Sequence, residues 1–222
     1  MRAACLIVCL MTAIAQARPA WAIPYAKLMQ AQSVFDAIPP ARRDKLTLVV
    51  RVKHRDAADT APVHLWVESG GKRFDVPVAA DGTLGAQINP AWMAADVDVA
   101  TDQPKGSMAL DIDVRIIAPP VNVIPVAYLR EAVTQAQDVF NTGARAMGGM
   151  LAVLAAPGVH GVAIKLGRCC TETATLHGGA APLTFPQDKD GMIVVRNANF
   201  ADAPDGMLKL TAPVSWIAAY TD

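Results

Sequence analysis

Two adjacent cysteines, in Gly167-Arg168-Cys169-Cys170-Thr171, are the residues best suited to chemistry in this chain. A trans peptide holds neighbouring Cα atoms about 3.8 Å apart, below the roughly 4.4–6.8 Å that disulfides favour. A Cys169–Cys170 bridge would be strained and easily reduced. The alternatives are a free thiol pair or bridges to other chains. A bridged pair pins a tight turn, whereas a free pair with Arg168 beside it favours thiolate and redox chemistry. Thiolates also suit soft metals such as Cu or Zn. The nearest further ligands are His177, seven residues on, and His160, nine before, which is not zinc-motif spacing.

Other reactive residue types form no constellation. His54, His64, His160 and His177 share no motif, and no serine sits in a G-x-S-x-G elbow. Asp96/Asp98 and Asp111/Asp113 are i, i+2 pairs, which strand geometry places on one exposed face. Asp188-Lys189-Asp190-Gly191 would put Pro186 and Asn197 at the acidic ends of a calcium loop, so it reads as a turn. His64, Trp66 and Arg73 fall on the non-core side of two adjoining expected strands. They form a candidate ligand patch, since a Trp with polar neighbours suits binding surfaces. More often, such residues form the second face of a sheet, covered by one of the helices.

The ends and the composition narrow the class. Arg2, the apolar stretch Ala3–Ala17 and Ala20-Trp21-Ala22 fit a signal peptide cleaved after residue 22. The apolar stretch is shorter than the roughly 20 residues of a membrane span. Cleavage would remove 22 of 222 residues, leaving 200, and Cys5 and Cys9 would depart with them. The 20 basic residues would fall to 18 against 20 acidic ones, without the basic excess of a nucleic-acid binder. The expectation is a periplasmic or secreted protein that is not an integral membrane protein after cleavage.

The elements that must hold these residues come next. Leu28, Ala31, Phe35 and Ile38 make one apolar helix face, stopped by Pro39-Pro40. Leu129, Val133, Ala136 and Phe140 repeat that stripe up to Gly143. Leu46–Lys53 and Val63–Glu68 alternate with period two, as do Leu110–Ile116. Ser69-Gly70-Gly71-Lys72 and Asp81-Gly82 are turn signals. Met147–Val162 is uncharged and Gly-rich, fitting either a buried segment or an apolar contact surface.

Three stretches recur in order. QAQSVFD (Gln30–Asp36) returns as QAQDVFN (Gln135–Asn141), FDVPVAADGTL (Phe74–Leu84) as LTFPQDKDGMI (Leu183–Ile193), and PKGSMAL (Pro104–Leu110) as PDGMLKL (Pro204–Leu210). This predicts a duplication and an α+β, β-rich chain of two tandem sandwich-like domains, each led by an amphipathic helix. The boundaries are a signal peptide 1–22, a first domain 23–118, a Pro-rich linker 119–125 and a second domain 126–222. The functional expectation is an exported, non-enzymatic binding module of the cell envelope, taking an envelope protein or a small ligand. It has no cofactor unless Cys169 and Cys170 hold Cu or Zn, and the alternative is a thiol-based redox or metal-handling protein built on that pair.

Overall fold

The computed structural model describes residues 21–85, 88–147, 158–167 and 172–221. A short strand β1 (Trp21–Pro24) opens the described chain, followed by helices α1 (Tyr25–Leu28) and α2 (Gln30–Ala37). The first half continues with β2 (Leu46–His54), β3 (Leu65–Ser69), β4 (Lys72–Val76), α3 (Pro90–Ala94), β5 (Asp98–Thr101) and β6 (Met108–Ile116). Next come β7 (Val123–Pro125), the long helix α4 (Val126–Met147), β8 (Val159–Leu166) and β9 (Thr173–His177). The described chain ends with β10 (Leu183–Pro186), β11 (Met192–Arg196), α5 (Asn197–Ala201), β12 (Met207–Leu210) and β13 (Val214–Thr221).

These strands make three antiparallel sheets, so the protein is β-rich with few helices. Two small sheets have the orders β1-β5-β3-β4 and β7-β12-β9-β10, and the central one runs β2-β6-β13-β8-β11. Taken in chain order, the strands of the two small sheets follow the same winding. The central sheet draws on both halves, with β6 and β13 meeting through Ile116 opposite Ile217 and Arg115 opposite Ala218. Outside β2, the residues around Thr83 extend the sheet: Thr83 bridges Arg51, and the Val52 N–H donates to the Gly82 carbonyl. That segment flanks β2 as β11 flanks β8.

Local geometry at those two places is also alike. The Ala79 N–H donates to Thr83 and Gly82 to Ala79 (both 2.8 Å), as Asp188 donates to Met192 (2.7 Å) and Gly191 to Asp188 (3.0 Å). Gly82 and Gly191 have φ of 82° and 71°, a left-handed conformation that glycine adopts without a Cβ penalty. Across the sheet, Thr83 leads through Arg51 to Asp111, and Met192 leads through Lys165 to Trp216. Equivalent places in β6 and β13 are thus 105 residues apart, the same shift that carries QAQSVFD onto QAQDVFN. The third sequence match does not correspond in space. PKGSMAL enters β6 of the central sheet, whereas PDGMLKL enters β12 of a small one.

Burial follows the strand period. Leu46, Val50 and Val52 of β2 are buried with Val114 and Ile116 of β6. On the alternate residues Arg51 pairs with Asp111 and Asp113, Lys53 with Asp111, and Arg115 with Asp113. One core joins α2, α4, the central sheet and β9/β12, and includes Phe35, Leu129, Ile164, Leu176 and Leu208. A second, around Tyr25, Leu28, Val67 and Val99, lies under the first small sheet.

Two expectations change. Val123–Pro125, read as linker, is a strand, because Ile124 is buried and Val123, Ile124 and Pro125 lie opposite Lys209, Leu208 and Met207. Helix α4 passes Gly143 and continues to Met147, since a glycine that keeps helical φ weakens a helix without ending it. Strand β1 includes Trp21 and Ala22, opposite Thr101 and Ala100, so cleavage after residue 22 would shorten it to Ile23–Pro24. Among the described residues no helix is long and apolar enough to cross a membrane.

Both glutamines of the second QAQ stretch are structural. Gln135 accepts from the Lys45 N–H (3.2 Å) and donates to Asp44 (2.6 Å), and Gln137 accepts from the Val159 N–H (2.7 Å). Lys45 also reaches Glu131 at 2.8 Å, and Arg42 reaches Asp138 at 2.9 Å. The Gln135 amide holds the Asp44 carboxyl below its ordinary value, and Glu131 raises the Lys45 ammonium. Gln135 is buried, so Gln135→Ala should cost about 1–3 kcal/mol in urea unfolding. A depressed folded pKa stabilises above the unfolded value of about 4 and is lost as pH falls through the folded one. The gap between wild type and Gln135→Ala should therefore narrow below pH 4.

Candidate functional site

The turn Gly70-Gly71, with both φ positive (58° and 73°), is a two-residue hairpin of the kind that keeps two strands in register. It sets Trp66 opposite Asp75 and Glu68 opposite Arg73. His64, Trp66, Arg73 and Asp75 consequently share one face of the hairpin. The Arg73 guanidinium lies over the Trp66 ring at 4.0 Å from its centroid, and Nε donates to Asp75 at 3.2 Å. The Trp66 indole N–H donates to Glu68 at 3.4 Å. Trp66 is only 3% exposed, while the Arg73 side chain is 54% exposed. Arg73 and Trp66 are in contact, with the indole covered and the guanidinium face exposed.

Beside this stack, the end of β2, the connection to β3 and the turn after β4 enclose an open cleft of about 830 Å³. His54, Asp59, His64, Arg73, Asp75 and Asp81 line it. His64 is exposed and makes no hydrogen bond or ion pair among the described residues. His54 is the last residue of β2, with its side chain 8% exposed. Its Nε2 meets the Ala61 carbonyl at 2.9 Å. Its Nδ1 stands 3.1 Å from Asp59, out of line for a hydrogen bond.

Most of the carboxylates in the cleft are engaged locally. Asp56 accepts from the Ala58 N–H (2.9 Å), Asp59 from Ala61 (3.0 Å) and Asp81 from Thr83 (3.0 Å). The Thr83 N–H holds the Asp81 carboxyl below its ordinary range. The sequence gives little warning of His54: a histidine with an aspartate five residues on is no motif. The broad face of Arg73 and the His64 imidazole line the cleft, beside Thr60 and the carboxylates of Asp59, Asp75 and Asp81.

The remaining candidates lie elsewhere. Arg168, Cys169 and Cys170 lie outside the described residues, in the connection between β8 and β9. That connection is the counterpart, in winding order, of the β2–β3 connection that walls the cleft. His177 is exposed at the end of β9, opposite Met207. Among the described residues no three His, Cys, Asp or Glu side chains are grouped to hold a metal ion. Asp111 and Asp113 are held in the ion-pair ladder of the central sheet.

A second, apolar cavity of about 270 Å³ lies between α2, α4 and the central sheet. Compared with known proteins, the chain matches no family model, and no curated protein or solved structure is significantly similar to it.

Truncating the two stacked residues should separate scaffold from surface. Trp66→Ala removes a buried ring and should cost about 3–5 kcal/mol. Arg73→Ala removes an exposed cation–π contact worth about 0.5–1 kcal/mol. Urea unfolding of the two variants checks the contrast, and equal losses would mean that Arg73 is packing rather than surface.

Proposed function

We propose that this chain is an exported, non-enzymatic binding module of the cell envelope, built from two copies of one helix-led, β-rich domain joined through a common sheet. The common winding of the small sheets, the matched Gly82 and Gly191 turns and the 105-residue shift shared by helix and terminal strand support the duplication. Export rests on the N-terminal pattern alone. The ligand of the first copy is a small polar molecule held in the cleft by Arg73 and His64.

One observation carries the binding reading: the Arg73 guanidinium rests on a buried Trp66 at the wall of an 830 Å³ cleft. A cation bedded on an aromatic ring loses less freedom when it meets a planar polar group, because its plane is already fixed. A panel of free amino acids, monosaccharides and short carboxylic acids, screened by amide chemical shift, tests this reading. The expected outcome is at least one probe that perturbs residues 54–82 and binds ten-fold or more weakly to Arg73→Ala. A panel that leaves those resonances unmoved would count against a small-ligand cleft.

A second reading is favoured by the place of Cys169-Cys170 in the β8–β9 connection, the counterpart of the cleft wall. In it the second copy handles a soft metal or exchanges thiols, using Cys169 and Cys170, with Arg168 favouring thiolate and His177 as a further ligand. Protein purified without reductant should then show two titratable thiols and bind about one equivalent of Cu or Zn, lost in Cys170→Ser. Absence of both thiols and metal would count against this reading and leave a disulfide, either vicinal or to another chain.

A further inference from the structure

The apolar cavity between the two leading helices belongs to neither half alone. Its wall takes Val34 and Phe35 from α2 and Val139 and Phe140 from α4, and its floor takes Val114 from β6 and Ala219 from β13. These are three pairs at the common shift of 105 residues, so the cavity straddles the line that relates the halves. Neither an isolated first half nor an isolated second half could form it.

Its volume has a local cause. Three residues after Phe35 stands Ile38, which is 4% exposed and packed in the core. Three residues after Phe140 stands Gly143, where an added Cβ would meet no heavy atom within 4 Å. Helix α4 runs on past that point with Ala144 next to it, also lining the cavity. Ile38 has already left its helix, with φ −74° and ψ 130°, whereas Gly143 lines the cavity from inside α4. Glycine in a helix interior costs up to about 1 kcal/mol relative to alanine, so the open space is maintained against helix propensity.

The lining fixes the chemistry of an occupant. Among the described residues its polar members are Asp113 and Thr221, and the Asp113 carboxylate is held at 3.1 Å by both Arg51 and Arg115. No free charge is offered to a ligand there. The space is partly open to solvent and holds about 270 Å³, enough for a molecule larger than benzene, which apolar spaces of roughly 150 Å³ already accept. Aromatic rings pair favourably with phenylalanine at centroid separations of about 4.5–7 Å, and two such residues flank the space. We infer that the junction of the two halves is a binding site for one neutral aromatic molecule of one or two rings, distinct from the polar cleft.

Methyl-labelled full-length protein titrated with indole, and separately with toluene, tests this directly. The expected result is saturable shifts of the Val34, Val114 and Val139 methyls, with residues 54–82 unmoved. Gly143→Leu fills the space and should weaken indole binding at least ten-fold while the thermal midpoint holds or rises. Gly143→Ala, the milder change, should weaken it several-fold and guards against misfolding of the larger variant. Absence of methyl shifts up to the solubility limit of indole would overturn the inference, as would binding unaffected by either substitution. The triple variant Met150→Ser, Leu151→Ser, Leu154→Ser is the last arm. Binding seen only in that variant would mean that the chain's own apolar segment occupies the cavity, which also overturns it.

Discussion

The meeting of β6 with β13 is the constraint on which the rest of the molecule depends. A strand edge carries unpaired N–H and C=O groups that must find partners. Separated halves would each present such an edge, flat and with apolar residues on one face. Joining them turns two edges into one continuous sheet, and the helices α2 and α4 then have a common floor on which to lie side by side. The clamp of Gln135 on Asp44 and Lys45, the shared core around Phe35 and Leu129, and both internal spaces take their positions from that junction.

Much of the local structure was legible in the residues themselves. Leu28, Ala31, Phe35 and Ile38 are all buried, but not as one helix face: Leu28 ends α1 and packs in the core under the first small sheet, and Ile38 lies just past α2. The alternation of Leu46–Lys53 and Leu110–Ile116 marks β2 and β6, and Gly70-Gly71 and Asp81-Gly82 mark real turns. What period alone cannot reveal is which sheet a strand joins. PKGSMAL and PDGMLKL look alike because each supplies a turn and an apolar run, yet their strands sit in different sheets. Val123–Pro125 escaped for the opposite reason: a three-residue strand flanked by prolines has no period to read, and only burial of Ile124 against Leu208 defines it.

The sites were legible only in part. His64, Trp66 and Arg73 come together because strand parity and a two-residue turn are enough to place them. That the indole would be covered, and the guanidinium left as the surface, depends on the tilt of one long side chain. His54 and the apolar cavity arise from tertiary closure and have no short-range signature. Gly143 shows in the sequence only as a glycine within a helical stripe, and the folded structure alone shows that it opens onto an apolar space.

The stretch between β6 and β7 has a different importance in a world of proteases. Ile117 and Val121 there are exposed, and Ala118-Pro119-Pro120 forms no part of any strand or helix. Cutting the chain at that point would remove covalent continuity beside one contact between the halves, the Tyr128 hydroxyl donating to the Ile117 carbonyl. The sheet junction, the two helices against each other and the Gln135 clamp all lie elsewhere. A nicked molecule would thus persist as a non-covalent pair of fragments, each completing the other, with its working surfaces intact.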